Sequence, residues 1–173
     1  KTKRKSVPEG LGAIGDYAFL KCNALGSVSI PKSVTDLSPY AFAQCSRLSA
    51  IAVDALNSAY ESAEGVLLKR EPATLLLYPQ GKTGDYTVPS GVTHIAAFAF
   101  DRCAGLTGVT MGTNIATLGD YAFRSCPNLM EVTIPRTVTS LGIGVFGGCS
   151  SLRAILVDPL NPVLESGEGV LFD

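Results

Sequence analysis

The side chains of this chain that could do chemistry are five cysteines, one histidine and two pairs of glutamates. Zinc sites hold the metal with Cys or His at short spacing, such as Cys-x-x-Cys, and the sequence has no such spacing. Nucleophilic catalysis needs a reachable nucleophile beside a positioned base. The one histidine, His94, falls between two apolar positions of a repeat, where we expect it on the surface. The sequence therefore predicts no catalytic residue and no enzyme activity.

The glutamate pairs are Glu61 with Glu64 and Glu165 with Glu168. Their recurrence suggests calcium, which prefers clusters of oxygen ligands. The Gly-rich spacing of aspartates found in calcium-binding solenoids is absent, and exposed acidic residues are usually just solvated. We therefore expect no metal and no other cofactor.

The cysteines reveal a repeat when their spacing is measured. Cys22 and Cys45 are 23 residues apart, and the same step separates Cys103, Cys126 and Cys149. The gap of 58 residues between Cys45 and Cys103 corresponds to one ordinary repeat of 23 and one long repeat of 35. Because all five occupy one repeat position among core residues, we expect a ladder of buried free thiols rather than disulfides.

Apolar residues follow the same period in columns that contain no charge. The clearest columns are Phe19, Phe42, Phe100, Phe123 and Phe146; Leu25, Leu48, Leu106, Leu129 and Leu152; and Ile30, Val53, Met111, Ile134 and Val157. A unit this short cannot bury its own apolar side chains, so copies must stack into a solenoid with one continuous core.

Each repeat predicts a short strand and a turn. The alternation Leu129, Val132, Ile134 indicates a strand whose last two residues face inward. Phe123 and Cys126 are three residues apart, which places them on one face of a helical turn, and we expect such turns on the convex side. Phe123→Ala should then leave a costly cavity, whereas Arg124→Ala should change almost nothing.

The columns predict a single domain over residues 7–173, preceded by a basic tail or linker at 1–6. Its ordinary repeats are 7–29, 30–52, 88–110, 111–133 and 134–156; its long repeat is 53–87; and a partial long repeat, offset by 104 residues, occupies 157–173. In the long repeat, two apolar runs around a polar turn that contains Pro72 predict a β-hairpin. The chain stops within a repeat, so we expect the native protein to continue beyond both ends.

Composition excludes two classes of partner. The net charge of −1 and the pI near 5.8 provide no basic surface of the kind that nucleic-acid binders carry. No run of about 20 apolar residues exists, so we expect no membrane span within the chain.

The phrase that runs from Ile115 through Gly119, Ala122, Phe123 and Cys126 to Ile134-Pro135 resembles the repeat of the BspA-like leucine-rich repeat family. The segments 57–67 and 75–79 resemble the long repeat of the same family. The resemblance implies a right-handed leucine-rich repeat solenoid of α/β class, with a parallel concave sheet. Family members are typically secreted or surface-attached bacterial proteins, several are adhesins, and they share no catalytic residues. An extracellular or cell-surface location is therefore implied.

The leading hypothesis is a non-enzymatic scaffold that adheres to a host or matrix protein, a glycan or another cell. The alternatives are a structural spacer and a glycan-related accessory module of a larger surface protein. Loops carry function more often than scaffolds, and protein interfaces depend on a few aromatic or Arg anchors. The candidate binding residues are accordingly Tyr60, Lys69, Arg70, Tyr78, Tyr86, Met130, Glu131 and Arg153.

Overall fold

The computed structural model describes residues 3–167 and 170–172, which wind into a β-solenoid of about seven turns. Its strands are short because most residues of each repeat lie in the turns between strands. In chain order they are β1 Lys3–Ser6, β2 Ala13–Ile14, β3 Leu25–Ile30, β4 Asp36–Leu37, β5 Ala50–Val53, β6 Tyr60–Ala63, β7 Val66–Lys69, β8 Thr74–Leu77, β9 Gly84–Thr87, β10 His94–Ile95, β11 Leu106–Thr110, β12 Thr117–Leu118, β13 Glu131–Ile134, β14 Ser140–Leu141, β15 Ala154–Val157, β16 Glu165–Gly167 and β17 Val170–Phe172.

The strands form two faces of the solenoid. The main face consists of the parallel sets β1-β3-β5, β9-β11 and β13-β15, and its inward residues Val132 and Ile134 are buried as predicted. The side face consists of the four-residue strand β8 and of two-residue strands, with β2 beside β4 and β8-β10-β12-β14 in parallel order.

The third face, here called the turn face, comprises residues 15–24, 38–47, 78–83, 96–105, 119–128 and 142–151. The sequence predicted helical turns here, and the structure has β-turns instead, with no helix among the described residues. Residues in the left-handed region, such as Tyr121 (φ 55°) and Ser125 (φ 58°), interrupt any helix after one turn. Their amides donate to the next repeat, as from Ser125 N to Gly147 O at 2.8 Å, so the turn face carries its own backbone ladder.

The core follows the predicted columns and is densest in the middle repeats. Phe100 and Phe123 are fully buried and stack with ring centroids 4.5 Å apart, whereas Phe19 and Phe146 in the outer repeats are only partly buried. The buried side chains fall into two clusters that meet at the long repeat, with Ala96 packed against both. The predicted single core is therefore divided where the long repeat intervenes.

The long repeat folds as a meander. Strand β7 pairs antiparallel with β8, which confirms the predicted hairpin, and also with β6, which the sequence did not indicate as a strand. The turn between β6 and β7 lies beside β5, because Ile51 N donates to Gly65 O at 2.8 Å. Strands β16 and β17 pair antiparallel in the same way at the second copy. Glu168 of the second glutamate pair lies outside the described residues.

The basic tail predicted at residues 1–6 is a strand from Lys3 onward. Strand β1 pairs parallel with β3, placing Lys5 opposite Val28, and Lys3 N donates to Ala24 O at 2.8 Å. Without β1, strand β3 would be the edge of its sheet and would have unpaired backbone groups, and the pairing with β1 satisfies them. Lys1 and Thr2 lie outside the described residues.

Candidate functional site

Three of the candidate binding residues are tyrosines of the long repeat, and all three are buried. Tyr60, Tyr78 and Tyr86 are 4%, 1% and 4% exposed. Burial raises the pKa of both Tyr78 and Tyr86 to about 12. A buried ring cannot anchor a partner, so these tyrosines stabilise the long repeat, and their proposed role in binding is corrected.

Each tyrosine has a structural role that its contacts define. The Tyr60 hydroxyl accepts a hydrogen bond from Leu37 N at 2.8 Å, which ties the meander to the second repeat. Tyr78 takes the place of the column phenylalanine, since its ring stacks on Phe100 at 4.9 Å and its amide donates to Ala99 O. Tyr86 packs edge-on against Tyr78 at 5.1 Å.

Lys69 ends strand β7 and Arg70 follows it, so both lie at the end of the meander that is far from the β6–β7 turn. Lys69 is exposed and pairs with Thr74 of β8. Arg70 donates to Glu61 at 2.5 Å and to Asn57 O at 3.3 Å, so its guanidinium is engaged within the repeat. Glu61 is thereby paired with a cation, and in the described ranges no three Asp, Glu, His or Cys side chains form a metal-binding group.

The structure brings Met130, Glu131 and Arg153 together on the main face. Arg153 N donates to Met130 O at 2.8 Å, and Glu131 lies opposite Ala154 in the β13–β15 pair. Met130 is 52% exposed, and Glu131 and Arg153 are exposed as well. Leu156, opposite Thr133 and 39% exposed, extends the surface. We call Met130, Glu131, Thr133, Arg153 and Leu156 the Met130 patch.

In the part of the chain that the structure describes, four of the five cysteine thiols donate hydrogen bonds to backbone carbonyls, and they are those of Cys45, Cys103, Cys126 and Cys149. All five are free thiols, but Cys22 is exposed and Cys149 half-buried, so the expected ladder of five buried thiols holds only for the middle three. The Cys126 thiol donates to Phe100 O at 3.1 Å, and burial raises the pKa of Cys103 well above its ordinary value. His94 is half-buried on β10, where its Nδ1 lies 2.7 Å from the Thr93 hydroxyl oxygen.

The sequence did not indicate a row of aromatic rings on the turn face. Tyr17, Tyr40, Phe98 and Tyr121 follow one another, with successive centroids 6.0, 5.5 and 5.2 Å apart. Arg124 lies over Phe98 at 4.9 Å and donates to Asp101 at 2.8 Å, so it is not the unattached surface residue that the sequence suggested. The 23-residue spacing of Tyr17, Tyr40 and of Phe98, Tyr121 is the signal that could have identified the row.

Two exposed leucines also recur without a predicted role. Leu56 and Leu160 are 74% and 70% exposed and stand 104 residues apart, at the same point of the two long repeats. The backbone amide of each leucine donates a hydrogen bond to the carboxylate of the aspartate two residues earlier, from Leu56 N to Asp54 and from Leu160 N to Asp158. Their side chains are held outward by these turns.

Comparison with known proteins places these features in a family. Residues 1–63 and 78–166 match the BspA type leucine-rich repeat region in six copies. A leucine-rich repeat protein from Eubacterium ventriosum has 31% identity and a TM-score of 0.82 over 89% of this chain. Among curated proteins, none matches the chain.

Two further solved structures share the fold at lower identity. A leucine rich cell surface protein from Faecalibacterium prausnitzii is 22% identical, with a TM-score of 0.61 over 88% of this chain. The pneumococcal vaccine antigen PcpA is 20% identical, with a TM-score of 0.70 over 91%. This chain spans 42%, 52% and 51% of the E. ventriosum, F. prausnitzii and pneumococcal proteins, respectively. No helix of the described residues could cross a bilayer.

Proposed function

The chain belongs to the BspA-type leucine-rich repeat family, and we propose that it is a non-enzymatic binding scaffold of the bacterial cell surface or the extracellular space. Its partner in this proposal is a protein of the host, of the extracellular matrix or of another cell. The similar protein from F. prausnitzii is a cell surface protein, which agrees with this location.

The Met130 patch is the observation that supports a protein partner most directly. An exposed methionine is a flexible, polarisable contact that adapts to different partner surfaces. Arginine is one of the residue types that most often provide binding energy at protein interfaces. Met130 and Arg153 directly precede the paired strands β13 and β15, and their backbones are joined by the bond from Arg153 N to Met130 O, so little backbone entropy is lost when they bind.

The chemistry of the patch defines its partner. Met130 and Leu156 each expose an apolar side chain, and Glu131 and Arg153 add one charge of each sign. A matching surface has an apolar centre with a carboxylate placed for Arg153 and a cation placed for Glu131. Charge placement of this kind sets orientation and association rate more than affinity.

The test is equilibrium binding of the purified chain to immobilised matrix proteins and to cultured host cells. The double variant Met130→Ser/Arg153→Glu should weaken binding by roughly tenfold or more, because it removes the two anchors. Arg136→Glu, an exposed charge reversal on a different corner, is the matched control and should bind as the wild type does. Equal binding by the double variant and the wild type would contradict the proposed site.

A spacer is the second candidate, and the remainder of the main face favours it. The outward residues of β3 and β5 include Ser27, Ala50 and Ala52, which are small and uncharged. Such a surface provides few anchors for a partner. If the wild-type chain binds no matrix protein and no cell type, the spacer becomes the better account.

A further inference from the structure

The row of rings on the turn face lies in a groove that the proposed protein-binding patch does not use. Tyr17 is 54% exposed, and Tyr40 and Phe98 are half-buried. Tyr40 meets Phe98 directly although the long repeat separates them by 58 residues in sequence. The rings of Tyr40 and Phe98 are inclined by 67°, an edge-on contact, whereas the pairs Tyr17–Tyr40 and Phe98–Tyr121 are stacked. The groove lies at this edge-on contact.

The backbone of the turn does not itself require these rings. Tyr17, Phe98 and Tyr121 have φ of 58°, 59° and 55°, a conformation that costs an L-residue about 1–2 kcal/mol. In the last repeat the same position is Gly144, with φ 57°, which adopts it without that cost. Ring stacking recovers part of this conformational cost. Because the turn also forms with glycine at this position, we attribute the aromatic side chains to the surface that they create rather than to the turn itself.

The groove lies at the step where the long repeat intervenes, and Leu77 and Gln80 of that repeat are part of its lining. A cavity of about 260 Å³ is lined by the rings of Tyr17, Tyr40 and Phe98 and by the polar residues Gln44 and Gln80, among others. A neighbouring hollow of about 320 Å³ shares Gln44, Gln80 and Arg102 and adds Lys21 and Asn23. We call the two together the turn-face groove.

The groove is basic in a chain whose net charge is −1. Its charged lining residues are Lys21, Arg102, Arg124 and Asp101. Asp101 is bound by Arg124 at 2.8 Å, while Arg102 approaches it only to 3.7 Å and has a side chain that is 55% exposed. Lys21 is exposed as well. The carboxylate nearest in sequence to Tyr17, that of Asp16, accepts a hydrogen bond from the Ser38 hydroxyl.

We propose that the turn-face groove binds a glycan chain carrying uronic-acid carboxylates. Aromatic rings provide apolar surfaces for the faces of sugar rings, and the Gln44 amide offers donors and an acceptor to hydroxyl groups. Gln80 Nε2 donates to Asp101 O at 2.9 Å, which fixes this side chain and leaves its carbonyl oxygen as an acceptor for a ligand. Arg102 and Lys21 form charge-assisted hydrogen bonds with the carboxylates. This site lies on a different face from the Met130 patch and takes a different class of ligand.

An acidic peptide fits the groove less well. Peptides bound in extended form gain much of their affinity from main-chain hydrogen bonds to a free strand edge. The residues of the turn face that line the groove form turns rather than strands, so an extended peptide would find no free strand edge there.

Calorimetric titration of the full chain with defined oligosaccharides tests the proposal. The probes are a galacturonic-acid hexamer, the same hexamer with its carboxylates methyl-esterified, and a hyaluronan octasaccharide as a second source of uronate. A poly-glutamate peptide of similar charge serves as the non-sugar control. The wild type should bind at least one uronate probe, and esterification should weaken binding by roughly tenfold or more because the charged acceptors are lost.

Variants then assign the binding to the groove. Arg102→Glu should lower the affinity by roughly tenfold or more, and Tyr17→Ala should lower it without changing its salt dependence. Arg136→Glu, outside the groove, should match the wild type, and thermal melting should show that each variant folds. The proposal is overturned if no uronate probe binds, if poly-glutamate binds equally well, or if folded Arg102→Glu and Tyr17→Ala both bind as the wild type does.

Discussion

Replacement of Asn57 should destabilise the solenoid more than its single side chain suggests. Asn57 is 2% exposed and is the one buried polar residue among the described residues. Its Nδ2 donates to Pro31 O at 2.9 Å and to Val34 O at 2.8 Å. Its Oδ1 accepts from Ala59 N at 2.9 Å and from Tyr60 N at 2.8 Å. The amide thus joins the second repeat to the start of the meander.

The magnitude follows from the groups that Asn57→Ala would leave without partners. The Val34 carbonyl and the amides of Ala59 and Tyr60 would lose their bonds to this side chain, whereas the Pro31 carbonyl would keep its bond from Val34 N at 3.3 Å. An unsatisfied buried group costs about 1–3 kcal/mol. Partial relaxation lowers the sum, so we expect a loss of about 3–5 kcal/mol in the free energy of unfolding. Asn161 makes the same four bonds in the second long repeat but is half-buried, so water can replace them. Asn161→Ala should cost about 1 kcal/mol.

The measurement is urea unfolding of the wild type and both variants, followed by circular dichroism and by tyrosine fluorescence. Linear extrapolation gives each free energy of unfolding, and agreement between the two probes supports a two-state comparison. If Asn57→Ala costs no more than Asn161→Ala, the buried hydrogen-bond network does not stabilise the junction, and this reasoning is wrong.

Three further predictions concern the core and its ionisable groups. Phe123→Ala should lower the free energy of unfolding by about 3–5 kcal/mol because it leaves a cavity in the core. Arg124→Ala should lower it by about 1 kcal/mol because the ion pair and the ring contacts are lost. Equal shifts in the urea midpoints of the two variants would contradict this. Tyr86→Phe should raise stability by about 1 kcal/mol, since the Tyr86 hydroxyl has no partner among the described residues. The pKa of Tyr86 is raised to about 12, so between pH 10 and about 12 the native state keeps a proton that the unfolded chain releases. The free energy of unfolding should therefore fall over this pH range, and it should fall less steeply in Tyr86→Phe. Identical dependence of the melting temperature on pH in the two proteins would refute this. In thiol titration, Cys22 should react at once and Cys103 only after unfolding, and a fast-reacting Cys103 would contradict its burial.

The repeat columns could be predicted because burial in a solenoid repeats with the sequence. Phe100, Phe123 and Cys126 are completely buried as their spacing indicated. The outermost copies follow the pattern less well, since Cys22 is exposed and Cys149 half-buried, whereas the three cysteines between them are buried. Position in the stack, rather than residue type, decides that difference.

The candidate site was harder to predict because the long repeat breaks the period. Tyr78 has no partner at a 23-residue spacing, so nothing in the sequence shows that it replaces a column phenylalanine. Tyr60 becomes buried only when the meander folds back beside the second repeat. The left-handed turn residues were missed for a related reason, since Tyr17 and Arg102 are not residue types that mark such a conformation. The Met130 patch was accessible to sequence reasoning because it lies within regular repeats.

Oxidative footprinting of Met130 tests the central proposal, a main-face site for a protein partner, most directly. Exposed methionine is readily oxidised to the sulfoxide, and Met111, which is 9% exposed, serves as an internal reference in the same chain. The chain is oxidised alone and after capture on a matrix protein or cell surface that binds it, and both methionines are quantified by mass spectrometry. The proposal predicts that bound chain loses most of its Met130 oxidation while Met111 stays unchanged. Undiminished oxidation of Met130 in fully bound chain would contradict it.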